Sequence, residues 1–110
     1  MAHVVAFIPD LLFGSHVQAA LSAAGHEVQL VGALAPGIRA DVLVVDLTAD
    51  AAERIEQARA AREAGVPMLA FYSHVETEVR ALAEQAGFDL VVPRSRIARE
   101  GAALVERLSA

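Results

Sequence analysis

Apolar residues follow two patterns that alternate along the chain. Five mainly apolar runs have the length of strands, at residues 3–8, 27–31, 41–47, 66–72 and 90–92. Between most of them, apolar residues recur every three or four positions, which is typical of amphipathic helices. This alternation predicts one α/β domain over residues 1–110, a three-layer sandwich with a five-stranded parallel sheet. Right-handed crossovers favour the strand order 2-1-3-4-5.

The central strand is the run Asp41-Val42-Leu43-Val44-Val45-Asp46-Leu47. It has no polar face, so it is expected to be buried on both sides in the middle of the sheet. Asp46 therefore lies at the carboxyl end of that strand, the edge at which open α/β sheets bind ligands. A carboxylate there can act on a ligand, or it can simply accept amide hydrogen bonds from the loop that follows.

Three segments have the spacing of a capping box, in which an N-cap residue is followed three positions later by Glu or Gln. They predict that helices start near Ser15, Asp50 and Ser73, with residues 10–14 forming a loop before the first. The last helix is expected over residues 97–108. Residues 32–40 contain Pro and Gly and are too few for an ordinary crossover helix, so we expect a shortened connection there.

Composition limits the classes of function. The chain has no Cys, which excludes disulfides, thiol catalysis and cysteine zinc sites. Its net charge is −5 and its nine basic residues, all Arg, form no run, which argues against a nucleic-acid surface. No apolar run reaches membrane-spanning length, and no secretory signal is recognisable. We therefore expect a cytoplasmic protein that needs no cofactor.

Several polar side chains should gather at the carboxyl edge of the sheet. Two histidines and an acid, as in His16, Asp46 and His74, can ligate zinc or iron, but both histidines occupy first-turn helix positions that are ordinarily exposed. His74 could instead form an acid/base dyad with Asp46 or Asp10, although no nucleophile with convincing spacing accompanies the pair. A small-ligand or anion site is a further alternative. The candidates for such an edge site are Asp10, Ser15, His16, Ser73, His74 and Arg94.

Three bulky apolar residues, Leu11, Leu12 and Phe13, stand together at the same edge. Either they fold down and fill a pocket, or they form a contact patch for another protein. The sequence does not decide between these two interpretations.

The segments AALSAAGHEV, DVLVVDL, GVPMLAFYS and EQAGFDLVVPRS, taken together and in this order, resemble the receiver domain of bacterial response regulators. The resemblance covers nearly the whole chain and implies a receiver-like, flavodoxin-like fold. It also implies that a homodimer would use the outer faces of the last two helices.

The resemblance makes Asp46 the equivalent of the phosphoacceptor. Working receivers also carry an acid pair that holds Mg²⁺, a hydroxyl after the fourth strand, and a Lys before a proline on the fifth. Here the acid pair falls on Ile8 and Pro9, and Val92 replaces the Lys. Ser73 matches the hydroxyl, or Tyr72 does if the register shifts by one. Receivers usually have a cis peptide before the equivalent of Pro93, so a cis-proline is expected there.

Without the acid pair and the lysine, phosphoryl transfer to Asp46 would lose most of its charge stabilisation. Arg94 or Arg96 could replace the missing positive charge. We therefore expect a receiver-like regulatory or interaction module that is not phosphorylated and that binds a protein partner or a second copy. A ligand-binding protein or enzyme using the sheet edge is the alternative, and a phosphoacceptor at Asp46 ranks third. No metal site is predicted with any specific ligand set.

Overall fold

The computed structural model describes all residues, 1–110, and contains nine elements. The strands are β1 (His3–Phe7), β2 (Glu27–Val31), β3 (Val42–Asp46), β4 (Met68–Tyr72) and β5 (Leu90–Pro93), and the helices are α1 (Leu11–Ala23), α2 (Ala51–Ala61), α3 (Thr77–Gln85) and α4 (Arg94–Ser109). All neighbouring strands pair in parallel, in the order β2-β1-β3-β4-β5. The predicted α/β fold and strand order are confirmed.

The sheet separates two hydrophobic cores. Alternate side chains of β3 point to opposite faces, so Val42 and Val44 belong to one core and Leu43 and Val45 to the other. Helices α1 and α4 cover the first core, and α2 and α3 cover the second. All five residues of β3 are buried, as are those of the neighbouring β4, so Asp46 ends a fully enclosed strand.

Helix α1 begins at Leu11, four residues earlier than its predicted cap at Ser15. Asp10 is the N-cap, and its Oδ1 accepts a hydrogen bond from the Phe13 amide at 3.1 Å. Ser15 is exposed within the helix, and the Gln18 side chain donates to the Val28 carbonyl at 3.3 Å. The predicted loop over 10–14 is therefore wrong, because Asp10 is itself a favourable cap and leucine a good helix former.

The other two predicted capping boxes are also not formed. Asp50 precedes α2 in a left-handed conformation with φ 49°, and its side chain makes no capping hydrogen bond. Helix α3 begins only at Thr77, after Glu76, so Val75 lies in the preceding loop and is 73% exposed instead of facing the core. Helix α4 begins at Arg94, three residues earlier than predicted.

The connection between β2 and β3 contains no helix, as expected from its length. It crosses the end of α2, where the Ile38 amide donates to the Ala61 carbonyl at 2.7 Å and its carbonyl accepts from the Glu63 amide at 2.9 Å. This pairing also ends α2 at Ala61. The neighbouring sheet surface carries exposed polar residues, among them Glu27 and Gln29, so it needs no helix to cover it.

The expected cis-proline is absent. The chain has no cis peptide bond, so the Val92–Pro93 bond is trans. Pro93 is at once the last residue of β5 and the N-cap of α4, in an extended conformation. Because the strand enters the helix with no loop between them, the tight turn that usually accompanies a cis-proline does not occur. No helix of the fold is long and apolar enough to cross a lipid bilayer.

Candidate functional site

Asp46 ends β3 with only 2% of its surface exposed. The backbone amide of Thr48 donates to Asp46 Oδ1 at 2.8 Å, and the Thr48 hydroxyl donates to the same oxygen. The second carboxylate oxygen, Oδ2, lies 3.5 Å from Nη1 of Arg54. Both oxygens are therefore occupied by groups of the chain itself.

Arg54, from the first turn of α2, supplies the positive charge at Asp46. Its Nη1 also donates to the Asp46 backbone carbonyl at 3.1 Å, and its guanidinium carbon lies 5.8 Å from the centre of the Phe7 ring. Its side chain is only 14% exposed. Arg54 is thus neither of the two arginines, Arg94 and Arg96, that the sequence suggests for this charge. The i,i+4 spacing of Asp50 and Arg54 predicts only their own contact, at 4.0 Å, and gives no signal for the contact of Arg54 with Asp46.

The residues around Asp46 do not fit a Mg²⁺ ion. Magnesium takes oxygen ligands in octahedral geometry, usually with one or two carboxylates open to it. Ile8 is apolar and buried, Asp46 is closed by Arg54 and Thr48, and the Asp10 carboxylate caps α1. No group of three or more acidic, histidine or cysteine side chains is arranged to hold a metal.

A larger opening lies beside Asp46 at the same edge of the sheet. This edge cleft has a volume of about 610 Å³ and is lined by Phe13, Thr48, Ser73, His74, Glu76, Arg94, Ser95 and Ala98. Of the predicted edge residues it brings together Ser73, His74 and Arg94. Asp46 does not line it, because Thr48 stands between the carboxylate and the opening.

Arg94 divides the edge cleft from a second, smaller one. Its guanidinium lies over the ring of Phe13 at 4.1 Å, and Phe13 in turn packs against Phe71 with ring centres 5.3 Å apart. Its Nη2 is 3.9 Å from Asp10 Oδ2, and both side chains are about half exposed. The stacking fixes the position of Arg94 next to two openings.

The smaller cleft, about 350 Å³, is lined by Asp10, Leu12, Phe13, His16, Arg94 and Ala98. Asp10 and His16 therefore lie on one side of Arg94, and Ser73 and His74 lie on the other. Ser15 lines neither opening. The predicted metal ligands His16, Asp46 and His74 are thus divided among two clefts and a buried pair, and they form no common site.

The three apolar residues at the start of α1 divide between burial and exposure. Phe13 folds inward onto Phe71, whereas Leu11 and Leu12 are 77% and 85% exposed. Val75, in the β4–α3 loop, is exposed near the same edge. The carboxyl edge therefore combines a polar cleft with exposed aliphatic side chains.

Comparison with known proteins gives matches at the level of structure. No family model matches the sequence, and no curated protein is significantly similar to it. The non-phosphorylated HemR receiver domain of Leptospira biflexa superposes with a TM-score of 0.79 at 17% identity, covering 100% of this chain and 95% of that one. A CheY-like response regulator of Mesorhizobium loti gives 0.73 at 21% identity, with 96% and 97% covered.

An orphan response regulator of H. pylori, HP1043, also matches, with a TM-score of 0.65 at 18% identity, covering 96% of this chain and 92% of that one. These similarities extend over 96% or more of the chain. The chain therefore has the fold of a response-regulator receiver domain.

Proposed function

We propose that this chain is a receiver-like regulatory module that works through contacts with another protein and is not phosphorylated at Asp46. The observation that supports this most is that both carboxylate oxygens of Asp46 are buried and already contacted by Thr48 and Arg54. A phosphoacceptor needs an accessible carboxylate oxygen and positive charge facing the incoming phosphoryl group. Here the carboxylate is buried. The cation beside it, Arg54, is itself mostly buried and is paired with the carboxylate, so it does not face an incoming phosphoryl group.

The missing charges strengthen the proposal. Ile8, Pro9 and Val92 occupy the positions at which working receivers place their acid pair and lysine. Arg94 does not replace the lysine at Asp46, since it is stacked on Phe13 and paired with Asp10. Phosphoryl transfer would thus lack both the metal ion and the cation that normally balance its charge.

Intact-mass measurement tests the absence of phosphorylation directly. The purified chain is incubated with acetyl phosphate and Mg²⁺, with a working receiver domain treated in parallel as the positive control. We expect the added phosphoryl mass on the control and none on this chain. A phosphoryl adduct that disappears in Asp46→Ala would refute the proposal.

Two surfaces are candidates for the protein contact. Leu11 and Leu12 expose aliphatic side chains at the carboxyl edge, where two neighbouring apolar residues are unusual on a free surface. The outer faces of α3 and α4 are the second candidate, for a homodimer. The net charge of −5 disfavours nucleic acid as the partner.

Site-specific crosslinking distinguishes these surfaces. A photoreactive residue at Leu12 is compared with one at Leu82, an apolar residue partly exposed on α3. Reproducible crosslinking to one partner protein from Leu12, with no crosslink to that protein from Leu82, would support the edge contact. Crosslinking to a second copy at Leu82, with a dimer mass by light scattering, would support a contact through α3 instead, on the side of α3 that faces α2. A monomer without crosslinks at either site would contradict the proposed module.

The edge cleft favours a second candidate function, the binding of a small ligand. Six of its eight lining residues are polar or charged, and its volume suits a small molecule. A thermal-shift screen of phosphate, nucleotides and divalent metals tests this candidate, since a ligand that binds only the folded chain raises its melting temperature.

A further inference from the structure

The edge cleft contains polar side chains that the fold does not use. Ser73, His74 and Ser95 line this opening, and their side chains make no hydrogen bond to the rest of the chain. The Thr48 hydroxyl, by contrast, is committed to Asp46. The unused donors lie at the entrance of a volume that falls within the usual range for small-molecule sites, roughly 300–1,000 Å³.

Arg94 is the one cation that lines the cleft. Stacking on Phe13 occupies one face of its guanidinium plane, and its long 3.9 Å contact with Asp10 is partly open to solvent. The N–H groups at the edge of the plane remain available, and such a fork binds two oxygens of a phosphate or carboxylate at once. Because the stacking already fixes the side chain, a ligand need not order it.

Glu76 gives the cleft a second kind of polar group. It is the only acidic residue in the lining, so a ligand that fills the cleft meets a cation and a carboxylate. The carboxylate accepts hydrogen bonds from hydroxyl groups and repels a second negative charge. This combination fits a ligand with one anionic group and several hydroxyls.

We infer that the edge cleft binds a sugar phosphate without covalent reaction, with the phosphate on Arg94, Ser73 and Ser95 and the sugar hydroxyls toward Glu76. This inference rests on the second candidate function, ligand binding, and names its ligand class. The phosphate stays on the ligand, so no step at Asp46 is needed. Occupancy of the cleft would give a receiver-like module a signal that does not depend on phosphorylation.

Isothermal titration calorimetry of the full chain tests the inference, with ribose 5-phosphate, ribose and inorganic phosphate as probes. We expect ribose 5-phosphate to bind most tightly, inorganic phosphate more weakly, and ribose not measurably. Arg94→Gln should weaken the binding of ribose 5-phosphate about tenfold or more, because a charge-assisted hydrogen bond is lost. Arg99→Gln is the matched control, since Arg99 lies on the same helix outside the cleft and should leave the dissociation constant unchanged.

Ser95→Glu separates binding from folding. An acidic residue in the first turn of α4 stabilises the helix, so this variant should unfold no more easily than the wild type. Its charge should nevertheless repel the phosphate and abolish binding of ribose 5-phosphate. Failure of all three probes to bind the wild type at millimolar concentration would overturn the inference, as would unchanged binding in Arg94→Gln. Equal binding of ribose would refute the phosphate assignment while leaving the cleft a ligand site.

Discussion

At the scale of single residues, the buried pair of Asp46 and Arg54 is the feature most sensitive to substitution. Arg54→Ala leaves the Asp46 carboxylate buried with only the Thr48 hydrogen bonds. We expect the free energy of unfolding to fall by about 3 kcal/mol, the lower end for breaking a buried ion pair. Urea denaturation measures this change. Arg59→Ala, on the solvent side of the same helix, is the control and should stay within about 0.5 kcal/mol.

Asp46→Asn tests whether the two side chains act as a pair. The asparagine oxygen can still accept from Thr48, so the main loss is the charge facing Arg54. In the double variant Asp46→Asn with Arg54→Ala, we expect a smaller loss than the sum of the single losses, with a coupling of about 1–2 kcal/mol. Strictly additive losses would show that Arg54 acts through its other contacts, such as the Asp46 backbone carbonyl, and not through the carboxylate.

The sequence placed Asp46 correctly and missed its partner for a physical reason. Burial at the end of the central strand follows from a continuous apolar run, which is local information. Arg54 reaches Asp46 only because the chain turns through residues 47–50 and starts α2 beneath the strand end. That turn includes Asp50 in a left-handed conformation, which the capping pattern of Asp50 and Glu53 did not predict.

At the scale of the helices, the start of α1 gives a direct test of which residue is the cap. Asp10→Ala removes the acceptor for the Phe13 amide and should cost about 1 kcal/mol of unfolding free energy. Ser15→Ala should cost nothing or stabilise slightly, because Ser15 is an exposed residue inside the helix and alanine has the higher helix propensity. Both are measured by urea denaturation. The reverse order of effects would mean that α1 starts at Ser15 in solution.

The predicted helix starts near Ser15 and Ser73 are displaced, whereas α2 begins at Ala51 as expected, and tertiary packing explains the clearest displacement. Placing α1 from Leu11 onward lets Phe13 pack on Phe71 and under Arg94. A start at Ser15 would leave Phe13 in a loop. Capping preferences amount to about 1 kcal/mol, whereas burying most of an aromatic ring contributes more, so packing decides the boundary. The sequence pattern therefore predicted that helices exist better than where they begin.

At the scale of the whole molecule, the sheet was predictable because each strand is recognisable from its own local pattern of apolar residues. Five apolar runs in an alternating α/β chain leave few right-handed topologies, and the observed order is the commonest of them for this strand number. The edge cleft was less predictable. It depends on how the β4–α3 loop, the start of α4 and the stacked Phe13 and Arg94 come together, and these contacts join residues far apart in the chain.

The connection between β2 and β3 gives a final prediction about the molecule as a whole. Amide hydrogen exchange should be slowest in β1, β3 and β4, whose exchange requires global unfolding, and fast over most of residues 32–40. Within that segment the Ile38 amide should be protected, because it alone donates to the end of α2, at Ala61. Arg39 and Glu63 form an exposed ion pair that adds little. Mass spectrometry with residue-level fragmentation, or NMR, resolves this pattern. Uniform protection of the amides from 32 to 40 would mean that a crossover helix forms in solution. That helix would join α2 and α3 on their face of the sheet and cover the polar surface of Glu27 and Gln29.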